Sequence, residues 1–143
     1  MPTRTASAHW DGSLSDGDGT LALGSGSFSG PYSWRSRFDQ ATGSNPEELI
    51  AAAHAGCFSM TLMAALQHVG HVPESIDTQA DVKLEKHDNG YAITNISLAT
   101  RARVSGLDDE AFQRIAADAE RTGPVPQALA AVGSIRLDAT LVE

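Results

Sequence analysis

Asn45-Pro46-Glu47-Glu48-Leu49-Ile50-Ala51-Ala52-Ala53-His54-Ala55-Gly56-Cys57-Phe58-Ser59-Met60 is the stretch on which the reading of this chain turns. Asn is a favoured N-cap, Pro is pre-set for the first helical position, and two acids behind them face the positive end of the helix dipole. A long helix is therefore predicted over 46–69, closed by His68, Gly70 and Pro73. Its eighteen residues from 49 to 66 carry no formal charge, which just reaches the length of a membrane span. Six alanines with His54, Gly56, Ser59 and Thr61 make that run only mildly apolar. The expectation is the buried centre of a soluble core, with no membrane partner.

Downstream, Ile76, Ala80, Val82 and Leu84 alternate with Asp77, Gln79, Asp81, Lys83 and Glu85, the period of a half-buried strand. Asp88-Asn89-Gly90 turns the chain, and Ile96, Leu98, Ala102 and Val104 line one face of a returning strand. A long β-hairpin is predicted over 75–104. Asp108 caps a second helix whose apolar stripe is Phe112, Ile115, Ala116 and Ala119, and Gly123-Pro124 stops it. A short helical piece around 127–131 and a final strand through Ile135, Leu137, Ala139 and Leu141 complete this part. Upstream, a Gly/Ser-rich region contains three β-prone pieces, at 5–10, 19–23 and 32–38. Strands, helix, hairpin, helix, strand is an α+β order without the strict alternation of a doubly wound parallel sheet. One domain over 1–143 is expected. An uncharged helix of about 36 Å is more than a chain of this size readily wraps, so a second subunit is expected to cover part of it.

Eighteen acidic against ten basic residues give a net charge of −8, and a phosphate backbone would repel such a chain, so nucleic acid is not expected as a partner. One cysteine makes no intrachain disulfide, and the first seven residues lack the apolar core of a signal peptide. A cytoplasmic protein is expected. The run 24–30 is Gly-rich but lacks the Gly-Lys-Ser/Thr ending of a phosphate loop, and reads as a plain loop. Asp16 and Asp18 open like a calcium loop, yet Ser27 stands where a bidentate glutamate is needed. His68 and His71 have no further ligand pattern near them and read as helix-end polarity. No cofactor and no metal are expected.

Cys57 remains as the candidate for chemistry. In an apolar helix a lone cysteine serves as a small hydrophobe unless a cation or hydrogen-bond donors lower its thiol pKa from about 8.5. No lysine precedes Lys83, so the arginines Arg35 and Arg37 are the candidate activators. His54, three residues before Cys57, would make a Cys-His pair the competing arrangement.

Residues 43–60 resemble the signature of the OsmC/Ohr family of thiol peroxidases. The resemblance extends to Ala8-His9-Trp10, Arg37-Phe38, Pro73-Glu74-Ser75-Ile76-Asp77-Thr78, Gly90-Tyr91-Ala92-Ile93-Thr94 and Ile135-Arg136-Leu137-Asp138, nearly the whole chain. It implies an intertwined α+β homodimer with antiparallel sheets packed around long central helices and active sites at the subunit interface. It further implies that Cys57 is the peroxidatic thiol, that Arg37 lowers its pKa, and that Glu47 holds Arg37. These roles fit the chemistry, since a carboxylate fixes a guanidinium plane through two parallel hydrogen bonds. Ten residues of unbroken helix would nevertheless separate Glu47 from Cys57 by about 15 Å. Either the helix breaks near Gly56 or the glutamate serving a given Cys57 comes from the other subunit.

The family's second, resolving cysteine lies in a Cys-Pro-Val-Ser stretch; the matching stretch here is Gly123-Pro124-Val125-Pro126. A sulfenic acid on Cys57 would then have no intramolecular thiol to condense with, and an external thiol would have to restore it. Phe38, Phe58, Met60 and Met63 nearby in sequence favour an organic hydroperoxide over hydrogen peroxide as substrate. Two other readings compete: a catalytically impaired protein binding a small hydrophobic ligand in the dimer cleft, and a Cys-His hydrolase dependent on His54.

Overall fold

The computed structural model describes all 143 residues. The elements run β1 (Ala6–Asp11), β2 (Asp18–Leu23), β3 (Ser29–Tyr32), α1 (Trp34–Phe38), α2 (Pro46–His68), β4 (Ser75–His87), β5 (Gly90–Arg103), α3 (Asp109–Thr122), α4 (Pro124–Ala128) and β6 (Ser134–Val142). They group into two compact units, Met1–Leu49 and Ile50–Glu143.

In the first unit β1, β2 and β3 form an antiparallel meander. Gly19 on the central strand pairs with Trp10 on one side and Tyr32 on the other. A Cβ there would lie 2.5 Å from the Tyr32 ring and 2.9 Å from that of Trp10. Its absence lets the two rings meet edge to face at 5.3 Å, the arrangement in which aromatic neighbours cover a bare strand position. Pro31 sits on β3 at the edge of the sheet, where a missing N–H is tolerated.

The strand expected at 32–38 is corrected by the structure. The chain leaves the sheet at Tyr32 and forms α1 instead. The cause is local: Ser33 Oγ accepts from the Ser36 N–H at 3.0 Å while Ser36 Oγ accepts from the Ser33 N–H at 2.8 Å, a reciprocal capping box. Two satisfied backbone donors outweigh the β propensity of the aromatic residues.

α2 starts and stops as its sequence predicts. Asn45 Oδ1 accepts from the Glu48 N–H at 2.8 Å, Glu47 and Glu48 occupy the first turn, and the helix is continuous to His68. Beyond its end Gly70 adopts φ +88°, and the His71 N–H reaches back to the Leu66 carbonyl at 3.0 Å. With a mean hydropathy of 1.7 the helix is long and apolar enough to cross a membrane.

In the second unit β4 and β5 pair from Ser75 opposite Arg103 to His87 opposite Gly90, with one irregularity between Lys83 and Leu84. β6 joins β5 in parallel, so α3 and α4 form the crossover that a parallel pair requires; the sheet is mixed where antiparallel sheets were expected. The short helical piece expected at 127–131 lies earlier, at Pro124–Ala128. Two prolines with pre-set φ begin it directly after α3. Phe58, Leu62 and Leu66 of α2, Leu98 and Ala102 of β5, Val104, and Phe112, Ala116 and Ala119 of α3 form one buried core. Helix and hairpin thus cover each other as predicted. The opposite face of α2, with Ala52, Ala53, Gly56, Met60, Ala64 and Gln67, is exposed, Met60 to 77%.

Phe58→Ala is expected to destabilise the protein by about 3–5 kcal/mol, the range for emptying a fully buried aromatic site. Met60→Ala, at a position 77% exposed, should change unfolding far less. Urea unfolding of both variants beside the natural chain checks both.

Candidate active site

Arg37 and Glu47 are brought together by a clamp of short polar contacts in the first unit. Ser36 Oγ donates to the Ser44 carbonyl at 2.7 Å, Asn45 Nδ2 donates to the Ser36 carbonyl at 3.0 Å, and Ser44 Oγ donates to Glu48 Oε2 at 2.7 Å. The Ser44 N–H also pairs with the Pro31 carbonyl at 2.9 Å. The loop between α1 and α2 is thereby held at both ends, and Arg37 faces Glu47 across it. Arg37 Nη2 donates to Glu47 Oε1 at 2.7 Å, and Nε lies 3.2 and 3.1 Å from the two carboxylate oxygens. Glu47 is 8% exposed, so its charge is compensated by the geometry that binds a guanidinium most firmly. The guanidinium also lies 5.4 Å from the centre of the Phe38 ring, which packs on Trp34 at 4.1 Å.

Cys57 lies in the second unit, half-buried and as a free thiol. It occupies the border between the core-facing stripe of α2 and the exposed stripe through Gly56 and Met60. The adjacent turn is tied to the sheet by hydroxyls. Ser59 Oγ donates to Thr78 Oγ1 at 2.8 Å, Thr78 and Thr100 hydroxyls share a bond at 2.9 Å, and Thr100 Oγ1 donates to the Asp77 carbonyl at 3.3 Å. Because the last bond uses Thr100's only proton, the chain of donors runs one way, from helix to sheet. Sequence reading missed these residues. The available signal was that Thr78 and Thr100 pair across the hairpin, which becomes visible once its register is known. Ser59 also borders a groove of about 350 Å³ lined with Met60, Met63, Ala64, Gln67 and Ile76.

The Cys-His pair considered from the sequence does not form. His54 is fully buried and neither ring nitrogen has a hydrogen-bond partner, the Cys57 thiol included. Burial holds its pKa below the ordinary 6.5. Nor does α2 break at Gly56, so Glu47 and Cys57 of one helix stand about 15 Å apart along its axis. Gly123 caps the end of α3, its N–H bonded to the Ala119 carbonyl at 3.2 Å. It is buried, and a Cβ there would sit 3.2 Å from Pro126 Cδ and 3.3 Å from the Ala119 oxygen. His71 Nδ1 lies 3.1 Å from the Ser105 carbonyl, and no group of three potential metal ligands exists.

The model of a family described as OsmC-like protein matches residues 39–138. A protein of Escherichia coli (strain K12) named Peroxiredoxin OsmC is 47% identical over 125 residues, 87% of each chain. Among solved structures, an organic hydroperoxide resistance protein OsmC from Legionella pneumophila superposes with a TM-score of 0.74 at 22% identity, covering 98% of both chains. The organic hydroperoxide resistance protein OhrB of Bacillus subtilis gives 0.68 at 21%, covering 96% of this chain and 98% of its own. At those identities the two structures speak for the fold.

The buried His54 makes stability depend on pH in a definite direction. Its folded-state pKa is depressed, so both states are neutral above the ordinary value. As pH falls through about 6.5 the unfolded chain takes up a proton that the folded chain refuses, and stability drops. Unfolding free energies at pH 8 and pH 5.5 should differ more for the natural chain than for His54→Leu. Equal differences would mean that the ring does not stay neutral.

Proposed function

This chain belongs to the OsmC-like protein family and is a peroxidase; from that premise we propose that it reduces organic hydroperoxides through Cys57, with Arg37 and Glu47 as the other members of the site. The observation that carries the reading is the preformed guanidinium–carboxylate pair of Arg37 and Glu47 in a chain with one half-exposed thiol. The Cys57 thiolate attacks one peroxide oxygen; an S–O bond forms, the O–O bond breaks, and the departing alkoxide takes a proton from water. Arg37 supplies the positive charge that favours the thiolate and the departing oxygen, and Glu47 fixes its plane. Hydrogen peroxide is a secondary substrate in this reading.

The straight helix supports a homodimer in which one chain's Arg37 and Glu47 serve the Cys57 of the other. The exposed face through Ala53, Gly56, Met60 and Ala64 is the surface a second copy would cover, its small residues permitting close helix approach. The two compact units then act as one functional domain of a soluble, cytoplasmic protein.

With Gly123 in place of a resolving thiol, turnover is completed from outside. An external thiolate attacks the sulfenic sulfur, water leaves, and a second thiol releases the mixed disulfide. The ligand-binding alternative draws on the apolar groove beside Met60 and Met63, but a ligand cleft has no use for an arginine locked on a glutamate.

Intact mass after one equivalent of an organic hydroperoxide tests the reaction. Cys57 should gain one oxygen, Cys57→Ser none, and Arg37→Ala should be slowed on the order of 100-fold, the loss typical of one preorganised charge donor. Gly123→Cys made together with Pro126→Ser should form a disulfide with Cys57. A natural chain that stays reduced while the peroxide persists would leave the ligand-binding reading in first place. For the assembly, light scattering should return twice the 15.0 kDa chain mass, and Met60→Arg should return a single chain with slowed peroxide reduction.

A further inference from the structure

Four residues up the core stripe of α2 from Phe58, where Leu62 and Leu66 continue downward, stands His54, fully buried and hydrogen-bonded to no protein group. An apolar side chain would fill that position without leaving two buried polar atoms unpaired, which costs stability. Since the ring is fully buried by its own chain, a second subunit cannot supply the missing partner. One neighbour on the same helix can change its chemistry: Cys57, three residues on, on the adjoining face, with Cβ atoms at i and i+3 about 5–6 Å apart.

We infer that His54 is the internal acceptor for the hydroxyl of the Cys57 sulfenic acid, holding the oxidised side chain until an external thiol arrives. The inference rests on the peroxidase reading of Cys57. Oxidation adds to the sulfur an O–H donor that the thiolate lacks, and extends the side chain by one atom. A neutral imidazole always keeps one ring nitrogen as acceptor, and burial opposes protonation of that nitrogen. The hydrogen bond favours the protonated sulfenic acid over the sulfenate, and the sulfenate is the nucleophile that would attack a second peroxide to give sulfinic acid. Gly123 carries no thiol to intercept the intermediate, and a Cβ there would crowd Pro126 at 3.2 Å. The intermediate therefore has to persist, and His54 gives it a partner.

The test follows sulfenic acid after it has formed, so that changes in the first oxidation cancel. With the natural chain, His54→Leu and His54→Gln, the second-order rate of sulfinic acid formation is measured by intact mass at rising cumene hydroperoxide. His54→Leu should over-oxidise about tenfold faster, the loss of one hydrogen bond to the intermediate, and His54→Gln, which keeps an acceptor, should recover part of the difference. In long-range proton–nitrogen spectra of the natural chain, one equivalent of peroxide should shift the unprotonated His54 nitrogen. Equal sulfinic acid rates in the natural chain and His54→Leu, or an unmoved His54 signal, would overturn the inference; if His54→Leu does not fold, His54→Gln and the spectra decide. A natural Cys57 that never gains an oxygen would overturn the peroxidase reading itself, and this inference with it.

Discussion

A helix of 23 residues that is apolar on nearly every face cannot stand in water, and much of this molecule is arranged around that constraint. One stripe, Phe58, Leu62 and Leu66, is buried with β5 and α3 in a single core. The first turn is polar and makes a different set of contacts, in which Asn45 caps it, Glu48 holds Ser44, and Glu47 holds Arg37. The same element is thus a charged anchor at its start and a hydrophobic rod beyond it, with the Cys57 sulfur on the border between covered and uncovered faces. Helix continuity then dictates the separation of carboxylate and thiol.

Much of this was legible in the residues, and the reasons differ by element. α2, α3 and the β4–β5 hairpin carry caps, an uninterrupted period and a turn within a few residues of one another, so local signals agree with the packed result. Trp34 to Phe38 misled because aromatic residues favour strands on average, whereas the Ser33–Ser36 exchange acts only on this backbone. The direction of β6 depends on a crossover over α3 and α4, which no local pattern encodes.

The candidate site divides the same way. Cys57 stood out as the one cysteine and Arg37 as one of two nearby arginines, while Glu47 and the three roles came through resemblance to a family; the pairing of Arg37 with Glu47 is seen directly. The Cys57–His54 pair suggested by spacing alone is not formed, because proximity on a helix gives adjacency of Cβ atoms and not alignment of sulfur with a ring nitrogen. The Ser59–Thr78–Thr100 chain lay beyond sequence reading because it depends on where a helix rests on a sheet. Its one-way order of donors gives this part of the core a fixed polarity, and ties the turn after the cysteine to both strands of the hairpin.

Gly123 and Pro126 bear on each other. Both depart from the Cys-Pro-Val-Ser pattern that the stretch otherwise resembles, and the two departures meet in space, the proline ring lying 3.2 Å from where the missing side chain would begin. With the ring in place, a side chain introduced at 123 alone would meet a crowded site, and a neighbour would have to give by a few tenths of an ångström. The coupling runs one way: the ring crowds any side chain placed at 123, whereas the bare glycine sets no bar to changing the proline.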